Sequence, residues 1–175
     1  HAAVETDGPG EGFLADLVVD WERAATAGVG ADTRLVLLRT APVLSTQGGL
    51  LGKLRPLFKL GLGGPIGDGK QYFSWISLID EIRAIEFLLS STISGPVNLA
   101  APGAVPFADF VSAFGRAVHR PTLARVPGFA AKLVGGEMAQ EMILFSQRVA
   151  PGVLSDNDFT FTHPDIDSGL AYANR

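Results

Sequence analysis

A glycine-rich run is the first stretch of this sequence that could bind a phosphate. Residues 61–69 read GLGGPIGDG. A dinucleotide-binding loop needs G-x-G-x-x-G between a strand and a helix, so that backbone N–H groups and the helix N-terminus meet the pyrophosphate. Here Ile66 stands at the third glycine position, and Gly69-Lys70 is followed by Gln71 instead of the Ser or Thr of a P-loop. The run therefore predicts a turn that ends a helix and orients the strand after it.

Other residues capable of chemistry form no recognisable motif. The three histidines, His1, His119 and His163, are far apart and lack the spacing of metal ligands, so no metal site is expected. No Gly-x-Ser-x-Gly elbow is present, which disfavours hydrolase chemistry. Asp80 and Glu81 open a predicted helix, where carboxylates usually cap free amides and favour the helix dipole. We expect capping there in preference to acid–base catalysis.

Composition limits the classes of function. The chain has 175 residues, 47% of them apolar and 18% charged, which indicates a folded domain with a real core and a small appended lobe. A net charge of −4 and the lack of any basic cluster longer than two residues disfavour a nucleic-acid surface. There is no cysteine and no apolar run of the roughly 20 residues that a membrane span needs. We expect a cytoplasmic protein that does not contact a membrane.

The first half of the chain has the alternating pattern of an α/β protein. Apolar spacing predicts a helix from about residue 13 that Gly28 closes, and residues 35–38 (LVLL) predict a strand buried on both faces of a parallel sheet. Residues 50–62 predict a helix that Pro56 should break or kink. Residues 70–78 predict one strand, on which Phe73 and Trp75 belong either to the core or to a pocket wall.

The second half predicts one further amphipathic helix and strand, followed by a helical lobe. Residues 79–91 should bury Ile82, Ile85, Leu88 and Leu89 on one side. Residues 95–102 read as a short strand, Pro106 opens another helix, and short helices follow Pro121. We therefore expect two parts, residues 1–105 and residues 106–175.

The order of these elements resembles the C-terminal half of an extended short-chain dehydrogenase/reductase. More narrowly, the chain resembles the atypical epimerase-like branch of the NAD-dependent epimerase/dehydratase family, which carries a helical C-terminal domain. The segments that carry the resemblance are FLADLVVDWERAA, LVLLRTAPVLS, GGLLGKLRPLFKLGLGGPIGDGKQYFSWISLIDEIRAIEFLL, GPVNLAAP and LVGGEMAQEMILFSQRVAPGVL. The resemblance implies the C-terminal portion of a doubly wound, Rossmann-like parallel sheet with a small, mostly helical C-terminal lobe.

The same resemblance implies NAD or NADP as the cofactor of the complete protein, with weak or no binding by this chain. In that family the glycine-rich phosphate loop lies in the N-terminal half, before His1. The loop after the LR-containing strand passes the nicotinamide, which here implies a cofactor role for Thr40, Ala41, Pro42 and Val43. The branch usually has glycine where Ala41 stands. Arg39 is expected to anchor the strand end through an internal carboxylate.

On the substrate side the resemblance implies Gln71, Phe73, Trp75 and Ser77, with a small-molecule substrate such as a nucleotide sugar. The branch often has histidine where Ser77 stands. Ordinary members use a Tyr-x-x-x-Lys pair on the helix before the LR strand, but residues 13–18 read FLADLV and contain neither residue. An epimerase- or dehydratase-type oxidoreductase and a non-catalytic binding or regulatory module with the same fold both stay open, and a homodimer is a further expectation.

Overall fold

The computed structural model describes residues 1–122 and 146–174. Its helices are α1 (Phe13–Gly28), α2 (Gly49–Lys59), α3 (Leu78–Ser90), α4 (Phe107–Ala117), α5 (Gly152–Asp156) and α6 (Ile166–Ala173). Its strands are β1 (Val36–Thr40), β2 (Val43–Leu44), β3 (Tyr72–Phe73), β4 (Ile76–Ser77), β5 (Gly95–Leu99) and β6 (Val105–Pro106). Much of the helical lobe predicted after Pro121 lies outside the described residues. Within the described ranges, no helix has the length and apolar character that crossing a membrane requires.

Strands β1 and β5 form a parallel pair with a helix on each face. Their register runs from Val36 opposite Gly95 to Thr40 opposite Leu99. Successive side chains of a strand point to opposite faces. Arg39 forms an ion pair with Glu22 of α1, whereas the Thr40 hydroxyl meets Glu81 of α3. Helices α1 and α3 therefore cover opposite faces, as in an α/β unit, and the predicted parallel pairing is correct.

The side chains of β1 and α1 are less buried than the sequence predicted. Leu38 is 44% exposed, although the uninterrupted apolar run predicted a strand buried on both faces. Helix α1 buries none of its residues, and Phe13 and Trp21 are 71% and 69% exposed. The reason is that the described residues pair β1 on one edge only, with β5. Helix α1 in turn meets the sheet through the polar contact between Glu22 and Arg39.

The aromatic segment forms two short strands instead of the single predicted strand. Strand β3 pairs antiparallel with β6, and β4 pairs parallel with β2. Between them, the Ser74 hydroxyl donates to the Gln147 carbonyl at 2.7 Å and accepts from the Val149 N–H at 2.9 Å. Ser74 therefore binds the segment that precedes α5 at the point where the chain changes strand partner.

Two helices differ in detail from the sequence pattern. Of the break or kink predicted at Pro56, the break is wrong, because α2 continues through this residue to Lys59, and the kink stays a prediction. Pro56 lies in the last turn, where the missing N–H removes one helix hydrogen bond near the end. Helix α3 buries Asp80, Ala84 and Leu88, whereas Ile82 and Leu89 of the predicted face are exposed.

The largest apolar cluster joins residues from both predicted parts of the chain. Trp75 is fully buried, and Phe73 contacts Phe110 with ring centroids 4.5 Å apart. The other large members are Leu44, Leu51, Phe58, Phe107, Phe114 and Leu170. A second cluster, which includes Ile76, Ala84, Leu88, Val97, Leu99 and Leu154, lies between α3, α5 and the β1–β5 pair. The division at residues 105 and 106 stays a prediction.

Replacing Gly169 in α6 should destabilise the protein through Trp75. A Cβ atom at Gly169 would overlap the six-membered ring of the buried indole. We expect Gly169→Ala to lower the free energy of unfolding by about 2 kcal/mol, which is typical of overpacking. Urea unfolding followed by circular dichroism measures the change.

Gly52→Ala is the matched control, because Gly52 is also inside a helix and its Cβ would meet only the Thr46 carbonyl, at an ordinary 3.6 Å. This control should be neutral or stabilising, since alanine is the better helix former. Equal effects of the two substitutions would contradict the tight contact between Gly169 and Trp75.

Candidate functional site

The predicted cofactor residues form a loop at the carboxyl end of β1. In doubly wound sheets, ligands bind at the carboxyl ends of the parallel strands. The Ala41 N–H donates to the Leu99 carbonyl at 3.0 Å, and the Pro42 carbonyl accepts from the Ile76 N–H at 3.1 Å. Thr40 is exposed, and Ala41, Pro42 and Val43 are half-buried. The loop is therefore held by its backbone while its side chains stay partly accessible.

The predicted substrate residues lie next to this loop but differ in accessibility. Val43 pairs with Ile76 in the register of β2 and β4, so the two segments are neighbours. Gln71 is half-buried, and its side-chain amide donates to the Ile66 carbonyl at 3.2 Å. Phe73, Trp75 and Ser77 are buried, and the first two belong to the main apolar cluster. A ligand role for these residues stays a prediction.

Trp75 is fixed by three kinds of contact. Its indole N–H donates to the Gly103 carbonyl at 2.9 Å, and its own carbonyl accepts from the Ala101 N–H at 2.7 Å. Its ring packs against Gly169. The indole therefore supports the loop that follows β5, which lies beside the carboxyl end of β1.

A buried polar cluster lies at the start of α3. The Ser77 hydroxyl caps the helix by accepting from the Asp80 N–H at 3.2 Å, and it donates to the Asp80 carboxylate at 2.9 Å. Nδ1 of His163 is 3.1 Å from the same hydroxyl. Because the hydroxyl has one proton, which goes to Asp80, Nδ1 of His163 must carry the proton of that contact. The sequence predicted that Asp80 and Glu81 would cap this helix, but the capping side chain is Ser77. The Asp80 carboxylate has other partners.

The Asp80 carboxylate binds the segment that precedes α6. It is fully buried and accepts the backbone N–H groups of Thr162 and His163 at 2.7 and 2.8 Å. Arg83 adds a contact at 3.3 Å. Burial raises the pKa of Asp80, but the hydrogen bonds from Thr162, His163 and Ser77 outweigh it and hold the pKa below its ordinary value. This carboxylate therefore joins α3 to the C-terminal segment.

Ser77, His163 and Asp80 are the residue types of a hydrolase triad, but their order differs. In a triad the histidine lies between the nucleophile and the carboxylate. Here Ser77 bonds to both other residues, and its hydroxyl is buried. An inaccessible hydroxyl cannot attack a substrate, so the cluster is structural. Sequence spacing could not reveal it, because His163 is separated from Ser77 by nearly half of the chain.

Glu81, for which the sequence predicted only a capping role, lies beside the candidate site. Its Oε1 accepts from the Thr40 hydroxyl at 3.0 Å. Its Oε2 is buried and has no hydrogen-bond partner among the described residues. Burial raises the pKa of Glu81, and the hydrogen bond from Thr40 offsets only part of this effect. The sole sequence signal was an acidic residue in the first turn of a helix, which usually means a favourable helix dipole.

Arg39 binds an internal carboxylate, as the sequence predicted. Its Nε and Nη2 donate to the two carboxylate oxygens of Glu22 at 2.7 and 2.8 Å, and its Nη1 donates to the Glu5 carbonyl at 3.3 Å. The hydrogen bond from Arg39 lowers the pKa of Glu22 despite partial burial. Arg39 therefore fastens the end of β1 to α1 and is not free for a ligand.

Replacing the Asp80 carboxylate should cost stability in a pH-dependent way. We expect Asp80→Asn to lower the free energy of unfolding by about 3 kcal/mol at pH 7, because an amide cannot accept all of these hydrogen bonds. The lowered pKa means that the carboxylate's contribution is complete above about pH 4, the ordinary range for aspartate, and is lost as the pH falls further. The difference in the free energy of unfolding between wild type and Asp80→Asn should therefore become smaller below that pH, as measured by urea titrations.

Asp109→Asn provides a control for this effect, because Asp109 occupies the corresponding position in the first turn of α4 and is exposed. A loss similar to that of Asp80→Asn, or a gap that stays constant to pH 3, would contradict the role given to Asp80.

Comparison with known proteins identifies relatives for nearly the whole chain. A family model described as a domain of unknown function, DUF1731, matches residues 126–173. An epimerase family protein of Mycobacterium tuberculosis is 48% identical over 170 residues, which cover 97% of this chain and 56% of that protein. An epimerase family protein of Staphylococcus haemolyticus is 38% identical over 155 residues, which cover 88% of this chain and 52% of that protein.

Solved structures that are similar to this chain include proteins that are also named as epimerases or epimerase family proteins. A human epimerase family protein, solved with NADPH, superimposes with a TM-score of 0.92 at 31% identity over 99% of this chain and 59% of that chain. A nucleoside-diphosphate sugar epimerase from Corynebacterium glutamicum gives a TM-score of 0.73 at 33% identity over 98% of this chain and 34% of that chain. The chain spans about half the length of the curated relatives it matches. The chain therefore resembles part of the epimerase family proteins over nearly all of its own length, and it has an α/β, Rossmann-like fold.

Proposed function

We propose that this chain forms the nicotinamide-side and substrate-side part of an NAD(P)-dependent epimerase- or dehydratase-type oxidoreductase. The observation that carries the proposal is the accessible loop of residues 40–43 at the carboxyl end of a parallel strand. The human relative that supports it was solved with NADPH. The cofactor is NAD or NADP. In the family that the chain resembles, the residues that discriminate between these two cofactors lie in the N-terminal half, which this chain does not include.

The loop has the chemistry that a nicotinamide ring requires. Ala41, Pro42 and Val43 offer apolar surface for the flat face of the ring, and Thr40 adds one hydroxyl for its polar carboxamide group. The backbone N–H of Ala41 is already bonded to Leu99. Contact with the cofactor would therefore be made by side chains and by van der Waals packing.

On the substrate side we assign direct contact to Gln71 and support to Phe73, Trp75 and Ser77. Gln71 is the accessible member of this set, and its carboxamide can bind a hydroxyl as donor or acceptor. The three buried residues would hold the strand pair beside the cofactor loop. A nucleotide sugar agrees with the name of the Corynebacterium relative.

A non-catalytic NAD(P)-fold module is the second candidate. Helix α1 contains neither tyrosine nor lysine, so the usual proton donor and its partner are absent from it. Turnover of nucleotide sugars by the complete protein, lost on Gln71→Ala with the fold intact, would favour the enzyme. NADPH binding without turnover would favour the module.

A cytoplasmic location and a homodimer are further parts of the proposal. We assign the protein to the cytoplasm on the basis of its cysteine-free composition, and its net charge of −4 disfavours nucleic acid as a partner. The exposed apolar side chains of α1, Phe13, Leu17, Val18 and Trp21, give a surface through which a homodimer could form.

NADPH fluorescence titration tests the proposed cofactor site. The protein for this test is the chain extended at its N-terminus by the part of the M. tuberculosis relative outside the match. We expect micromolar binding by the extended protein and much weaker binding by the 175-residue chain, which lacks the phosphate loop. Ala41→Leu should weaken binding about tenfold or more, because the larger side chain would occupy the space of the ring.

Ala31→Leu, in an exposed turn before β1, is the control and should leave binding unchanged. No binding at millimolar NADPH by the extended protein would contradict the proposal. Equal binding by the Ala41→Leu variant would place the nicotinamide elsewhere.

A further inference from the structure

Thr40 differs from the other three loop residues in having a polar side chain that is exposed. It is the one with a hydrogen-bonding side chain, since the others are alanine, proline and valine. It is exposed at the end of β1, so its hydroxyl can reach both a ligand and the protein. The direction in which this hydroxyl points its proton decides whether a ligand meets a donor or an acceptor.

Glu81 holds that proton. The Thr40 hydroxyl donates to Glu81 Oε1 at 3.0 Å across the interface between β1 and α3. The second carboxylate oxygen, Oε2, is buried without a partner among the described residues, so no other described donor competes with Thr40 for Glu81. A carboxylate in such surroundings gains strongly from one hydrogen bond. The proton of the Thr40 hydroxyl is therefore engaged in the hydrogen bond to Glu81.

We propose that Glu81 is a positioning residue that makes the Thr40 hydroxyl an acceptor toward the ligand, and that this acceptor selects the N–H₂ group of the nicotinamide carboxamide. The inference rests on the proposed cofactor site. With its proton held by Glu81, the Thr40 oxygen offers lone pairs to the solvent side. The carboxamide of a nicotinamide dinucleotide carries an N–H donor that fits them, whereas a methyl ketone at that position carries none.

A pair of cofactors separates this role from simple structural support. We would compare NADPH with the reduced 3-acetylpyridine analogue, in which a methyl ketone replaces the carboxamide, on the extended protein. Wild type should bind NADPH about fivefold more tightly than the analogue, the factor expected from one hydrogen bond. In Glu81→Met, which keeps a side chain of similar length without an acceptor for Thr40, and in Thr40→Val, this preference should disappear.

One conservative variant and one control complete the test. Thr40→Ser keeps the hydroxyl and should keep the preference. Glu86→Met, an exposed position on the same helix, should also keep it. Loss of affinity for both cofactors in equal proportion in the Glu81 and Thr40 variants would mean a merely structural role and would overturn the inference, as would an unchanged preference.

A measurement on the 175-residue chain itself checks the hydrogen bond without any cofactor. The hydroxyl proton of Thr40 should exchange slowly enough with water for detection by NMR at low temperature, and Glu81→Met should abolish the signal. Its persistence in that variant would overturn the inference. If wild type binds NADPH but shows no preference, only this inference fails, whereas absence of NADPH binding also removes the proposed function.

Discussion

The candidate site is positioned by the parallel pairing of β1 with β5. One further backbone hydrogen bond extends this pairing beyond the end of β1. The pairing places Thr40 opposite Leu99, and the Leu99 carbonyl then accepts the Ala41 N–H. Beyond that bond the chain leaves β1 and enters β2, where Val43 pairs with Ile76. The loop of residues 40–43 consequently has a defined backbone while its side chains remain accessible at the edge where α/β sheets bind ligands.

Buried and half-buried charges, and not only apolar packing, fix the surroundings of this loop. Asp80 binds two backbone N–H groups of the segment before α6, and Arg39 binds Glu22 of α1. A buried carboxylate is stable only where such donors meet it. Each ion therefore specifies the docking of one distant segment, whereas apolar contacts alone would permit small shifts. Glu81 differs from these ions, because one of its carboxylate oxygens accepts from the exposed Thr40 hydroxyl and the other lacks a partner among the described residues.

The sequence was most informative where the physics is local. The apolar spacing and closing glycine of α1 predicted its bounds, and the LVLL run predicted parallel pairing. Contacts between distant segments could not be read from the sequence: Ser77 and Asp80 meet His163, and Thr40 meets Glu81. An amphipathic pattern also does not say what covers it, so the exposure of Phe13 and Trp21 was not foreseen.

The most direct test of the central claim is the proximity of the nicotinamide ring to the loop of residues 40–43. Nuclear Overhauser effects between the H4 protons of bound NADPH and methyl groups of the extended protein report it. We expect cross-peaks to the methyl groups of Ala41 and Val43, which flank Pro42 at the carboxyl end of β1. Cross-peaks confined to methyl groups of other segments, with none to these two residues, would contradict it.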